Sequence, residues 1–154
     1  MSLFIKMFFR SEQGITPKDI LSSLLASGLQ LTSSSREHWE HVKMIPDSGI
    51  NFQYDSSLRP IRIYYSVGDS AAKLSNSILD ELRSYSSVPP DVIVRLHNAK
   101  QSLDLEVNPD SLVEEVWSSL DRFEQDILSK FDGILYVHGE GIYDKQLNKV
   151  LDTY

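Results

Sequence analysis

The chain reads as α+β: an antiparallel or mixed sheet with helices mainly on one face. Three features of the sequence carry that expectation. Short segments dense in β-branched and aromatic residues, LFIKMFF at 3–9, IRIYYSV at 61–67 and ILYVH at 134–138, stand between segments of helical period. Strong turn chemistry, such as Pro46-Asp47-Ser48-Gly49, separates them at short intervals. Residues 60–138 run strand, helix, strand, strand, helix, strand, the ferredoxin-like βαββαβ order, here extended by an N-terminal strand and helix plus a β-meander.

Taken in order, residues 3–9 form a largely buried strand. TPKDILSSLLASG shows both ends of a helix: Thr16 as N-cap, Pro17 as first helical residue, Asp19 in the first turn, Gly28 as left-handed terminator. Ile20, Leu21, Leu24 and Leu25 make its apolar face, and a short strand around 29–32 follows. Next comes SREHWEHVKM, with two of the four histidines. The turn after it favours hairpin pairing, so a three-strand meander is expected at 37–45, 50–55 and 60–67. In a strand His38 and His41 point to opposite faces and share no metal. Only a helix, for which Ser34 and Glu37 offer a capping box, would make them neighbours.

After IRIYYSV, Asp69 caps a helix with Leu74, Ile78, Leu82 and Tyr85 as its buried line. Pro89-Pro90 ends it, and DVIVRLH at 91–97 with SLDLEV at 102–107 is expected as a hairpin. Asn108-Pro109 opens the longest helix, which runs to about Phe131 and stops at Gly133. The tail DKQLNKVLDTY is expected as a short helix with Leu147, Val150 and Leu151 turned inward. No repeat, linker or low-complexity tract divides the chain, so 1–154 is expected as a single α+β domain.

Composition narrows function by exclusion. There is no cysteine, which removes disulfides, thiol nucleophiles and thiolate metal sites. The opening MSLFIKMFFR is too short in its apolar run for a signal peptide or membrane span, and a cytoplasmic protein is expected. Net charge is −7 and unevenly spread. Residues 1–100 hold 11 bases and 10 acids, a balance of +1, whereas 101–154 hold 4 bases and 12 acids, a balance of −8. Nucleic acid and anionic membrane are disfavoured as partners, and a basic partner is favoured.

Two places carry candidate residues. On the long helix, Leu112, Val116, Leu120, Phe123 and Ile127 form a core stripe; Trp117 and Leu128 lie at its edge, and Glu114 and Asp121 continue toward solvent. An aromatic bordered by acids resembles an interface patch, so Trp117, Glu114, Asp121 and Leu128 are expected to bind a partner. In VHGEGIYD at 137–144, His138, Glu140 and Asp144 are the candidates for acid, base or ligand-binding chemistry. The turn SVGDS lacks the glycines and lysine of a phosphate loop, and Tyr64-Tyr65 lacks the cations of a base-stacking sheet. The resulting expectation is a non-enzymatic protein-binding domain of inhibitor, immunity or adaptor type, without cofactor. It would present an acidic, Trp-containing face to a basic protein or to itself as a homodimer. The alternative is a small-ligand-binding protein or enzyme using the His138–Asp144 loop.

Overall fold

The run LFIKMFF, free of Gly and Pro, becomes the central strand of a seven-stranded sheet. The computed structural model describes residues 2–85 and 87–153, the side chain of Tyr85 excepted. The strands are β1 (Leu3–Phe9), β2 (Ile50–Phe52), β3 (Ile61–Val67), β4 (Gln101–Val107), β5 (Gly133–Val137), β6 (Gly141–Tyr143) and β7 (Lys149–Asp152). The helices are α1 (Pro17–Ala26), α2 (Ser33–His41), α3 (Asp69–Tyr85), α4 (Pro90–His97) and α5 (Glu114–Phe131). The fold is α+β.

The strand order is β2-β3-β4-β1-β5-β6-β7, and every neighbouring pair is antiparallel. β1 and β3 therefore run parallel to each other with β4 between them, and β4 and β5 run parallel with β1 between them. Two split strand–helix–strand units, β1–α1–β3 and β4–α5–β5, are thus interleaved.

Side chains alternate along each strand, so the sheet feeds two cores. Ile5, Met7, Leu103, Leu105, Leu135 and Val137 face α1, α2 and α5. Phe8, Ile134, Tyr136 and Ile142 face α3 and α4, meeting Leu79, Leu82, Val92 and Leu96. The helices divide three to two between the faces, so both sides of the sheet are covered. A buried amide ties the loop before α1 to this frame. Gln101 accepts from the Ile15 N–H at 3.0 Å and donates to the carbonyls of Ser11 and Gln13 at 3.0 and 2.7 Å.

Helix α1 follows the sequence closely. Thr16 Oγ1 accepts from the Asp19 N–H at 3.1 Å, and Asp19 Oδ2 accepts from the Thr16 N–H at 2.9 Å, a reciprocal capping box. Leu25, expected on its apolar face, is exposed instead.

Several expectations need correction. Residues 33–41 are helical, not the first strand of a meander, and only β2 and β3 pair there. Trp39 explains the difference: it is buried, its Nε1–H donates to the Asn51 carbonyl at 2.9 Å, and its ring meets Phe52 edge-on. One tryptophan anchors a short helix of otherwise weak propensity.

Residues 90–97 are also helical, so the ferredoxin-like order expected over 60–138 is not formed there: the segment runs β3-α3-α4-β4-α5-β5. Pro90 opens α4, Val92 and Leu96 are buried one turn apart, and Asp91 pairs with Arg95 at 3.1 Å. In α3 the buried side chains are Ala71, Ser75, Leu79 and Leu82, with Leu74 exposed; the expectation for Tyr85 lies outside the described side chains. Asn108 caps only a 3₁₀ turn at 109–111, and α5 begins afresh at Glu114. The tail is strand β7, reached through a turn that places Leu147 at φ 63°.

Gly133 does not terminate α5; Asp132 takes the left-handed position at φ 55°. Gly133 is needed for packing, because a Cβ there would stand 2.6 Å from Phe9 Cδ1 and 2.7 Å from Leu128 Cδ2. Gly133→Ala is expected to cost about 1–3 kcal/mol in urea unfolding. Gly14→Ala, with no atom within 4 Å of its added carbon, should shift stability by less than about 1 kcal/mol. Equal effects of the two substitutions would contradict this packing.

Candidate functional site

Helix α5 starts at an N-cap, Val113, that offers no side-chain bond; Glu114 and Glu115 in the first turn complement its dipole instead. Its buried side chains are Ser119, Leu120, Phe123, Glu124, Ile127, Leu128 and Phe131. Six of these belong on a helix packed against a sheet. Glu124 does not. It is only 5 % exposed.

The helical period explains its place. Trp117, Asp121, Glu124 and Leu128 succeed one another at intervals of three or four, along the edge of α5 that leans toward β5 and β6. Beyond that edge the sheet continues, and no described helix covers it on this side. The result is a cleft of about 460 Å³ between α5, β1, β5, β6 and the β6–β7 turn. Leu3, Ile5, Leu135 and Val137 line its apolar part, Trp117, Tyr143 and Leu147 stand round them, and its carboxyl groups belong to Asp121, Glu124 and Glu140.

Local hydrogen bonds hold the rim. Residues 138–140 link β5 to β6, with the Glu140 N–H donating to the Val137 carbonyl at 3.0 Å. Gly141 is required at the end of that turn, because a Cβ there would lie 2.1 Å from the Leu151 carbonyl oxygen. Tyr143 Oη donates to Glu140 Oε1 at 3.0 Å, and Gln125 Nε2 reaches the Gln146 carbonyl at 3.3 Å, tying α5 to the β6–β7 turn.

The electrostatics of the cleft are one-sided. Glu124 makes no hydrogen bond or ion pair with any described residue. Burial pushes its carboxyl up to about 8, helped by the negative charges of Asp121 and Glu140. Asp121 is also raised, by desolvation, against the pull of the neighbouring Arg122. That guanidinium is engaged elsewhere, donating to the Ser27 carbonyl at 2.9 and 2.7 Å. A buried acid that keeps its proton to neutral pH, in a concave and partly apolar setting, is a group poised to receive a cation or to transfer a proton.

The structure gathers some of the sequence candidates here and disperses others. Trp117, Asp121 and Glu140 meet in the cleft. Leu128 cannot touch a partner: it is 0 % exposed, sealed in the core between α5 and the sheet. Glu114 lies apart, in a shallow depression with Glu115, Ser118 and Arg122. His138 turns to the opposite face, with its Nδ1 3.0 Å from Tyr136 Oη and 3.6 Å from Glu81. Asp144 caps no helix; its Oδ1 accepts from the Gln146 and Asn148 N–H groups at 3.0 and 2.9 Å and shapes the β6–β7 turn. His38 and His41 are both exposed on α2.

Tyr64 and Tyr65 face opposite sides of β3, bonding Glu106 and Gln101 at 2.9 and 2.6 Å. Among the described residues, no three carboxylates or imidazoles stand close enough together to hold one metal ion. No helix among them is long and apolar enough to cross a membrane. Compared with models of protein families, with curated proteins and with solved structures, the chain finds no match.

Glu124 escapes the sequence reading, although a signal for it exists. It lies four residues after Leu120 and four before Leu128, so it interrupts an otherwise apolar row of α5.

The raised carboxyl has a consequence for stability. An unfolded glutamate loses its proton near 4.5, whereas folded Glu124 holds it to about 8. Between those values the folded chain binds more protons, so this contribution is complete below about pH 4.5 and is lost as pH rises to about 8. The loss is expected to reach at most about 5 kcal/mol. Glu124→Gln should flatten that part of the profile in denaturant unfolding measured from pH 4.5 to 8.5. Superimposable wild-type and variant profiles would refute it.

Proposed function

We propose that this chain acts as a non-enzymatic protein-binding domain whose acidic, Trp117-bearing cleft receives a basic protein partner. It works as one α+β domain over 1–154, in a reducing, cytoplasmic setting suited to a cysteine-free chain. The observation that carries the reading is Glu124: nearly sealed from solvent, without a partner of its own, and lining a cleft beside Asp121, Glu140 and Trp117. A cation entering there meets the Glu124 carboxyl beside an aromatic wall, is attracted by the charges of Asp121 and Glu140, and finds no described cation among the lining residues. The negative balance after residue 100 adds long-range attraction, which speeds encounter and rejects acidic competitors.

The same geometry argues against self-association through the cleft. A two-fold dimer joined at this surface would set the carboxyls of one copy against those of the other. The partner is therefore a different, basic protein.

A second reading has one observation in its favour. A carboxyl raised toward neutrality in a cleft is also what a general acid needs. The loop expected to complete such a centre does not do so, since His138 faces away and Asp144 is spent on a turn.

One experiment tests the protein-binding reading. A partner captured from the source cell, identified and purified, is titrated calorimetrically against wild type and against Asp121→Lys/Glu140→Lys. Affinity is expected to fall at least about 100-fold in the double variant and to weaken steeply with added salt. Its thermal unfolding should move by only a few degrees, since both side chains lie at the surface. Unchanged affinity after charge reversal would overturn the proposal.

A further inference from the structure

The cleft is shaped for one kind of cation. Its innermost carboxyl, Glu124, is only 5 % exposed and so leaves a narrow approach, with the exposed Asp121 and Glu140 beside it. A guanidinium is a broad, planar fork, whereas an ammonium is a compact charge at the end of a slender stem and fits a narrow approach better. The apolar side chains of Leu135, Val137 and Leu147 offer a surface for a hydrocarbon stem leading to that charge.

We infer that the cleft is a subsite for a lysine side chain of the partner, its ammonium seated against Glu124, with Asp121 and Glu140 at the rim. The inference deepens the protein-binding reading, on which it rests, by naming the group the partner presents.

Seating the ammonium favours the carboxylate form of Glu124, so the acid releases its proton to solvent as the ligand enters. The ammonium itself stays protonated. The titratable groups around Glu124 are Asp121 on α5, Glu140 in the β5–β6 turn and Tyr143 on β6. Two cations bear on the rim: Arg122 of α5, whose charge acts on Asp121, and Lys149 of β7, whose Nζ stands 5.6 Å from the Tyr143 ring centroid. β1 and β5 line the cleft with apolar side chains only.

The test uses the full chain and small probes, followed by NMR shifts of the Trp117 indole N–H and by calorimetry in two buffers of different ionisation heat at pH 6.5. The probes are Nα-acetyl-lysine N-methylamide, the norleucine analogue that lacks its ammonium, the arginine analogue and 1,5-diaminopentane. The lysine probe should bind at least about 10-fold tighter than the norleucine probe and release protons on binding. Glu124→Gln should lose that release and at least about 10-fold in affinity. Should Glu124→Gln fail to fold, Asp121→Asn/Glu140→Gln serves in its place, with the same direction of loss.

Equal binding of the norleucine probe, or unaltered binding by the folded variant, would overturn the inference. Tighter binding of the arginine probe would overturn the choice of ammonium, and tighter binding of the diamine would overturn the assignment to a protein side chain. The two proposals fail separately. Lysine-probe binding without a basic protein partner sinks the protein-binding reading and leaves only an ammonium site. Partner binding that needs Asp121 and Glu140, with no lysine-probe binding, sinks this inference alone.

Discussion

The structure depends on the pairing of β1 with two strands at once. All seven of its residues pair with β4, and five of them also pair with β5. Because side chains alternate, the same strand sends Ile5 and Met7 into one core and Phe8 into the other. Removing β1 would leave β2, β3 and β4 joined to one another but cut them off from β5, β6 and β7. The cleft follows from this arrangement. α5 lies along the centre of the sheet, while β6 and β7 extend the sheet past its edge. Apolar strand residues are left beside a helix flank instead of beneath it.

That flank is where α5 departs from what packing alone would favour. A leucine or methionine at position 124 would continue the row from Leu120 to Leu128 and add apolar burial. The chain carries an acid there instead, and desolvation keeps the proton on it. A buried group without a partner is a local cost to stability, of the kind found where a binding partner completes the site. Asp121 and Glu140 sharpen the cost by adding like charge, and both sit where an incoming cation would relieve it. The Tyr143–Glu140 and Gln125–Gln146 hydrogen bonds fix the rim before any ligand arrives, which limits the ordering that binding would require.

How much of this was legible in the sequence varies with the strength of local signals. α1 was readable end to end because Thr16, Pro17 and Asp19 each act within their own turn. The strands around 3–9, 61–67, 102–107 and 134–138 were readable from their β-branched and aromatic content. Segment 33–41 was not, since its helix rests on tertiary contacts of Trp39 with Asn51 and Phe52. Segment 90–97 was misread because Val-Ile-Val suggests a strand. The decisive spacing, Val92 to Leu96, shows only against the covered second face. The tail failed for the opposite reason: three apolar residues at helical spacing were outweighed by the open edge of β6. Of the site, Trp117, Asp121 and Glu140 could be named but not brought together, because their meeting depends on how far α5 leans over β5. Glu124 was hidden among ordinary surface acids, since no single-sequence pattern says which side of a helix edge is sealed.

Everything functional rests on Glu124 being a protonated acid, sealed yet open to the cleft. The most direct measurement is a site-resolved titration of its side-chain carboxyl by ¹³C NMR in the free protein, assigned through Glu124→Gln. A midpoint near 8 is predicted, against the ordinary glutamate value of 4.5. A midpoint close to 4.5 would show that carboxyl to be solvated or paired, and would contradict the reading of the cleft as a cation site.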